Sequence, residues 1–130
     1  MTDPIADMLS RIRNAKAVSK KTVSIPFSNL KYRLANILLE EKFVAKVEKK
    51  GRNTSRTIEI DLKYEKEGES VITGLKRISK PGQRIYSGSD KIKGVRGGYG
   101  ISVVSTPKGL MTGKEAKKKN LGGEIICEIW

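Results

Sequence analysis

The chain has 130 residues, of which 27 are lysine or arginine and 14 are aspartate or glutamate, so its formal charge of +13 predicts a polyanionic partner. The absence of histidine and the single cysteine, Cys127, exclude catalytic triads, histidine-ligated zinc and internal disulfides, and we expect neither a metal nor a cofactor. No apolar run approaches the ~20 residues of a spanning helix and the N-terminus does not resemble a signal peptide, so we expect a cytoplasmic protein without membrane attachment, with Cys127 as a buried thiol.

The first half of the chain predicts an α/β lobe in the order helix, strand, helix, strand, strand. Asp3 and Pro4 are typical of a helix start, and apolar residues then recur at helical spacing at Ile5, Met8, Leu9 and Ile12. A second helix is predicted to begin at Ser28 and to bury a face of four apolar residues, Leu30, Leu34, Ile37 and Leu38. Alternating residues predict strands over Thr22–Phe27, Phe43–Glu48 and Thr57–Tyr64.

The second half predicts a mainly β lobe with one short helix. Its strands are expected at Val71–Ser79, Arg84–Ser87, Ile101–Thr106 and Glu124–Trp130, with a turn at 80–83. Thr112 and Glu115 have capping-box spacing, which predicts a helix over Lys114–Asn120. The polar segment 65–70 separates the lobes, so we expect an α+β fold with domains at 1–66 and 71–130.

The charge is concentrated in the second lobe. Residues 76–119 include 12 basic residues and only two acidic ones, Asp90 and Glu115. Lys117, Lys118 and Lys119 form a run that adds long-range attraction or is simply a solvated face. The second lobe is therefore the predicted polyanion-binding part of the chain.

Two hydroxyl residues, Ser105 and Thr106, end a predicted strand and precede the turn at Pro107, Lys108 and Gly109. Hydroxyls and exposed amides can donate to phosphate, ribose or base edges, and small residues fit the shallow minor groove of an RNA helix. The alternative is a hairpin turn without a ligand. The surrounding positive charge favours contact with RNA.

Other candidate RNA-binding residues belong to the same basic lobe but lie far from this turn in the sequence. Tyr86, with the neighbouring Arg84, suits stacking on an unpaired base, and the alternative is a half-buried strand tyrosine. Glu124 is an acid at a strand start in a basic lobe, so it would accept from an amino group or position a neighbouring side chain. Arg77 is included among the RNA-binding candidates as a basic residue of the same lobe.

Lys31 and Arg33 lie in the first turn of the predicted second helix, where the helix dipole disfavours cations. A phosphate bound at this helix start would explain their position, and solvated surface charge is the alternative. The glycine-rich loop 94–100 only weakly matches known RNA-binding loops. We interpret it as a flexible connection that carries one useful arginine, Arg96.

Four blocks in the same order resemble the bacterial small-subunit ribosomal protein S-eight family: Asp3 to Asn14, Leu75 to Gly82, Ile101 to Thr112, and Gly122 to Ile126. The resemblance implies primary binding to a helix in the central domain of small-subunit ribosomal RNA, early in assembly. It also implies that the turn at Ser105–Gly109 enters the minor groove, that Tyr86 and Glu124 share this surface, and that the segment around Lys31 makes secondary contacts.

The resemblance further implies neighbouring small-subunit proteins, such as S-five, as partners, and the chain's own operon mRNA as a target for regulation by mimicry. The sequence departs from the family at Pro107, where a small polar residue is usual. Because proline has no amide hydrogen, a donor is missing from the turn.

We therefore expect a structural RNA-binding protein of the small ribosomal subunit, without enzymatic activity or a small-molecule substrate. A DNA-binding architectural protein would need a groove-reading helix, a ribbon or apolar wedges, and none is evident. A magnesium nuclease would need clustered acids, but Asp90, Glu115 and Glu124 are scattered in sequence.

Overall fold

A computed structural model of the chain describes residues 3–130. These residues form two compact units, one of residues 4–73 and the other of Asp3 with residues 74–130. Three α-helices and two antiparallel sheets within this range confirm the predicted α+β fold. The domain limits 1–66 and 71–130 stay a prediction, and residues 1 and 2 lie outside the described residues.

The unit of residues 4–73 contains two helices and a three-stranded sheet, in the predicted order. Its elements are α1 (Pro4–Ala17), β1 (Thr22–Pro26), α2 (Asn29–Glu40), β2 (Val44–Lys50) and β3 (Thr57–Leu62). β3 is the central strand and pairs antiparallel with β1 and β2. Ile58, Ile60 and Leu62 alternate on its buried face, as the period of a half-buried strand requires.

α1 buries one face, which carries Ile5, Met8, Leu9, Ile12 and Ala15. The predicted apolar residues of this helix are therefore confirmed. The helix ends where Ser19 adopts a left-handed conformation, with φ of 56°. The main-chain N–H of Lys20 then donates to the carbonyl of Ala15 at 2.9 Å, which turns the chain into β1.

α2 begins as predicted, because the Ser28 hydroxyl accepts from the main-chain N–H of Lys31 at 3.2 Å. The prediction of its apolar face was wrong at one position. Leu30 is 47% exposed, whereas Lys31 is only 7% exposed. The buried stripe follows Lys31, Leu34, Ala35 and Leu38, which are spaced by three and four residues, and this stripe leaves Leu30 on its flank.

The other unit contains a five-stranded sheet and one short helix. Its elements are β4 (Leu75–Arg77), β5 (Tyr86–Ser87), β6 (Ile101–Thr106), β7 (Gly109–Thr112), α3 (Gly113–Lys118) and β8 (Gly123–Ile129). The strand order is β4–β8–β6–β7, and β5 also pairs with β8. β6 has the predicted limits, the strand predicted over Val71–Ser79 shortens to β4, and β7 was not predicted.

α3 covers one face of this sheet. The Thr112 hydroxyl accepts from the main-chain N–H of Glu115 at 3.2 Å, which confirms the predicted cap. Beneath the helix, a buried apolar cluster contains Ile92, Val104, Met111 and Ala116, with Leu121 and Ile125 packed against it. This cluster fixes the positions of β6, β7 and β8 relative to α3.

β8 contains a one-residue bulge at Ile126. Val103 of β6 faces Cys127, whereas the next residue, Val104, faces Ile125. The carbonyl of Ile126 accepts from the main-chain N–H of Ile78 at 3.0 Å and from Nη1 of Arg77 at 2.6 Å. The bulge therefore sets the register of the preceding residues of β8, including Glu124.

Candidate nucleic-acid interface

The turn between β6 and β7 is held by the side chain of Thr106. Its Oγ1 donates to the carbonyl of Gly109 at 2.8 Å and accepts from the main-chain N–H of Lys108 at 3.1 Å. Thr106 is 8% exposed. Because its single hydroxyl proton is used inside the turn, Thr106 supports the conformation of the hairpin, and the residues that project from it are Pro107 and Lys108.

The backbone of this turn accounts for Pro107. Gly109 has φ of 109°, which falls in the region that favours glycine, so the unusual conformation lies after the two turn residues. Pro107 occupies the first turn position, where its fixed φ of about −65° is typical of a type I turn. The proline removes an amide donor, as the sequence indicated, but it also stiffens the tip of the hairpin.

Three predicted residues form a row across three adjacent strands. Ser105 of β6 pairs with Glu124 of β8, and Glu124 pairs with Tyr86 of β5. Side chains of directly opposed residues lie on the same face of a sheet, at strand spacings of about 4.8 Å. Tyr86 is 70% exposed. We call Ser105, Glu124 and Tyr86 the three-strand row.

Glu124 is held by two donors that meet at one carboxylate oxygen. Its Oε2 accepts from the buried Ser79 hydroxyl at 2.5 Å and from Nη1 of Arg84 at 2.9 Å. Ser79 Oγ in turn accepts from the main-chain N–H of Ile85 at 3.1 Å, which ties β8 to the segment before β5. The Ser79 hydrogen bond, helped by Arg84, lowers the pKa of Glu124 and so favours a charged carboxylate at neutral pH.

This lowered pKa predicts an acid-dependent loss of stability. We expect Glu124→Gln to reduce the free energy of unfolding by about 1 kcal/mol at neutral pH, which is the difference between hydrogen bonds to charged and to neutral groups. The difference should be complete above the pKa of an unfolded glutamate and should shrink as pH falls through the lower folded value. Urea unfolding of the natural protein and of Glu124→Gln from pH 7 to pH 3 measures this difference. The titration of all other groups is common to both proteins and cancels in the comparison. A difference that persists at pH 3 would show that ionisation of Glu124 is not what stabilises the fold.

Gly123 allows β6 and β8 to approach closely beside the row. A Cβ atom at this position would overlap the carbonyl oxygen of Ser105 and would lie 3.2 Å from the Cα atom of Thr106. The approach involves main-chain atoms, which cannot move without disturbing the strand pairing. A glycine is therefore required for Ser105 and Glu124 to be neighbours.

The remaining predicted residues lie elsewhere. Arg77 is only 12% exposed at its side chain, and its Nε contacts Oδ2 of Asp3 at 3.1 Å, so it supports the sheet internally. Lys31 and Arg33 belong to the unit of residues 4–73, where Lys31 is buried and Arg33 is exposed. Contact of these three residues with RNA stays a prediction, and for Arg77 little of the side chain is available.

Comparison with known proteins identifies the family. Residues 3–130 match the family model described as "Ribosomal protein S8". The chain belongs to the ribosomal protein S8 family. It is 55% identical over 130 residues to "Small ribosomal subunit protein uS8" of Clostridioides difficile (strain 630), and 54% identical to the protein of that name from Caldanaerobacter subterraneus subsp. tengcongensis. In both comparisons the alignment covers all of this chain and 98% of the relative.

Within this ribosomal protein S8 family member, the sequence reasoning missed Ser79, which is fully buried and holds Glu124. Nothing local distinguishes this serine, because its partner is 45 residues away. Tyr99 in the glycine-rich loop is 89% exposed, but it lies outside the three-strand row.

Arg96 of the same loop is not a free cation. Its guanidinium lies over the ring of Trp130, 4.2 Å from the centroid, so it anchors the loop to the end of β8. Cys127 is buried as predicted, and desolvation raises its pKa to about 12. The thiol of this ribosomal protein S8 family member is therefore neutral and unreactive while folded.

Among residues 3–130, no three acidic, cysteine or histidine residues are grouped so that they could hold a metal ion. In the same range, no helix has both the length and the apolar character needed to cross a bilayer.

Proposed function

We propose that this protein is a structural component of the small ribosomal subunit that binds small-subunit ribosomal RNA directly and catalyses no reaction. The observation that carries the proposal is the three-strand row, which lies beside the rigid Pro107–Lys108 turn on a strongly basic unit. The family and the names of the relatives support the subunit assignment. We place the protein in the cytoplasm as part of that subunit.

The row supplies groups that suit an irregular RNA helix. The exposed ring of Tyr86 can stack on an unpaired base. Glu124 can accept from the amino group of a base, since the described residues donate only to its Oε2. Arg84, paired with Glu124 and 48% exposed at its side chain, offsets the repulsion between the carboxylate and nearby phosphates.

The hairpin supplies shape. Its exposed tip consists of Pro107 and Lys108, and the Thr106 hydroxyl fixes their conformation before RNA arrives. Such a narrow, stiff tip fits the wide and shallow minor groove of an A-form helix, where the Lys108 ammonium can reach a phosphate. Ser105, next to the tip, is the remaining hydroxyl for direct donation to ribose or base.

Finer details of the proposal come from the family resemblance. We propose that the RNA site is a helix of the central domain, that binding occurs early in assembly, and that neighbouring proteins such as S-five contact the chain in the subunit. An mRNA with the same irregular helix would bind the same surface, which is how autoregulation would operate. Ribosomal RNA is the proposed primary partner.

The proposal is tested by titrating the protein into a hairpin that carries the central-domain site, with an equally long regular duplex as the competitor. We expect a preference of about 10³ for the hairpin at physiological salt, as for specific nucleic-acid binders. Equal binding to both RNAs, lost together as salt rises, would leave only a basic surface and would contradict the proposal.

A matched variant separates attraction from recognition. Lys118 is exposed in the last turn of α3 and is not one of the residues of the three-strand row. Lys118→Ala should weaken binding to both RNAs alike. If Lys118 neutralises one phosphate, its loss should reduce the slope of log affinity against log salt concentration by about 0.9. Thr106→Val, which removes both hydroxyl hydrogen bonds of the turn, should instead weaken binding to the RNA hairpin more than binding to the duplex. A selective loss with Lys118→Ala would contradict this assignment of roles.

A further inference from the structure

A groove lies beside the free edge of β1, within the unit of residues 4–73. It encloses about 440 Å³ between the flank of α1 and the strand, and its lining includes Arg11, Asn14, Val18, Lys20, Thr22 and Ser24. None of these residues belongs to the surface proposed above for ribosomal RNA. The groove therefore needs an explanation of its own.

The strand edge in this groove has unused main-chain groups. Leu62 N–H donates to the carbonyl of Lys21 at 2.8 Å, and Phe27 N–H donates to the carbonyl of Arg56 at 3.1 Å. Because hydrogen-bonded pairs alternate along an antiparallel ladder, Val23 and Ile25 are the residues of β1 whose main-chain groups are directed toward β3. Thr22 and Ser24 consequently direct their N–H and C=O groups outward, on the side where no described strand pairs with β1.

The side chains around this edge define the chemistry of a ligand. Among the described residues, Arg11 and Lys20 line the groove and no acidic residue does. Because Nε of Arg11 is already paired with Oδ2 of Asp7 at 2.8 Å, Lys20 is the main positive charge that the groove offers. Val18, just after α1, is 69% exposed and offers an apolar contact. The lining contains no aromatic residue on which a base could stack. Alternating main-chain donors and acceptors, the ammonium group of Lys20 and an apolar contact favour a peptide over a nucleic acid.

We propose that this groove binds an extended acidic segment of a neighbouring protein in the small ribosomal subunit, which adds to β1 as a further strand. The segment forms hydrogen bonds to the main chain of Thr22 and Ser24, places a carboxylate near Lys20, and packs an apolar side chain on Val18. Pro26 has no N–H, so the paired stretch is short. The inference rests on the proposed function, because the partner is a subunit protein.

The test places a photo-reactive benzoylphenylalanine at Val18 in small subunits assembled with the full chain. Irradiation should join the chain to a protein, and mass spectrometry should locate the cross-link in an acidic segment. A cross-link to RNA, or none, in subunits that contain the chain would overturn the groove proposal alone. Failure of the chain to enter the subunits would overturn the proposed function and, with it, this inference.

Two variants in the cross-linking background test the mode of binding. Ser24→Pro removes an outward N–H but no bond to β3, and Val47→Pro does the same on the outer edge of β2 as the control. Lys20→Glu reverses a groove charge, and Lys66→Glu reverses an exposed charge outside it. We expect about tenfold less cross-linked product with Ser24→Pro and with Lys20→Glu, the loss expected for a tenfold lower affinity, and no change with either control. An unchanged yield with Lys20→Glu, or equal losses with the controls, would overturn the proposal even if Ser24→Pro failed to fold.

Discussion

We expect Tyr86→Ala to weaken binding to the small-subunit RNA site by about tenfold to a hundredfold, because stacking of a base on an aromatic ring contributes about 1–3 kcal/mol. The ring is 70% exposed and lies opposite Glu124, so its removal should leave the sheet intact. Binding is measured by titration of the labelled RNA hairpin at fixed salt. Thermal unfolding of the variant should match that of the natural protein.

Tyr99→Ala is the matched control for this prediction. Tyr99 is 89% exposed in the same unit, but it lies in the glycine-rich loop and outside the three-strand row. Its removal should leave the affinity within about twofold. Tyr86→Phe should also bind normally, because the ring is kept. If both alanine variants lost affinity equally, the aromatic contribution would be nonspecific, and the row would not be the reading surface.

The second large effect is expected for Gly123→Ala. The added methyl group would overlap the carbonyl oxygen of Ser105, so β6 and β8 would have to separate next to the row. We expect the free energy of unfolding to fall by about 3 kcal/mol, at the upper end of the usual penalty for overpacking. Urea unfolding at neutral pH measures this loss. RNA affinity should fall as well, since Ser105 and Glu124 would no longer be neighbours.

Gly94→Ala is the control for the glycine prediction. No atom lies within 4 Å of a Cβ at Gly94, and this residue is not among the described residues with positive φ. This substitution should change the stability by less than about 0.5 kcal/mol. If Gly123→Ala were equally harmless, β6 and β8 would be more adaptable than their close approach indicates.

Much of the fold follows from local sequence. β6 was predicted over Ile101–Thr106, and the caps at Ser28 and Thr112 were predicted from residue type and spacing. β7 was not predicted because it has only four residues, the first of which is the glycine of the turn, so it shows no alternating apolar pattern. Leu30 was assigned to the core because it is apolar, whereas packing of α2 placed the lysine beside it in the buried stripe.

The candidate site was predictable as residues but not as a surface. Ser105, Glu124 and Tyr86 could each be selected from sequence for their chemistry. Their alignment depends on strand pairing across distant segments and on the bulge at Ile126, and a shift of one residue in β8 would move Glu124 to the opposite face. No local pattern specifies that register.

The internal use of two arginines was equally hidden. Arg77 contacts Asp3, 74 residues away, and Arg96 lies over Trp130 at the end of the chain. Both pairings depend on tertiary structure, so a count of basic residues overstates the charge that is free to meet RNA. The composition predicts the sign of the partner's charge, and the structure shows which basic side chains are available to contact it.

Because Cys127 is buried, its accessibility to a thiol reagent reports on opening of the sheet. This cysteine is the single thiol in the sequence, and it lies in β8, which pairs with β4, β5 and β6. A thiol reagent can modify it only in molecules whose strands have transiently separated, so the rate of modification measures the population of that open form. RNA bound at the three-strand row would slow the modification of Cys127. The occupancy of the surface could therefore be followed at a buried residue that does not contact the ligand.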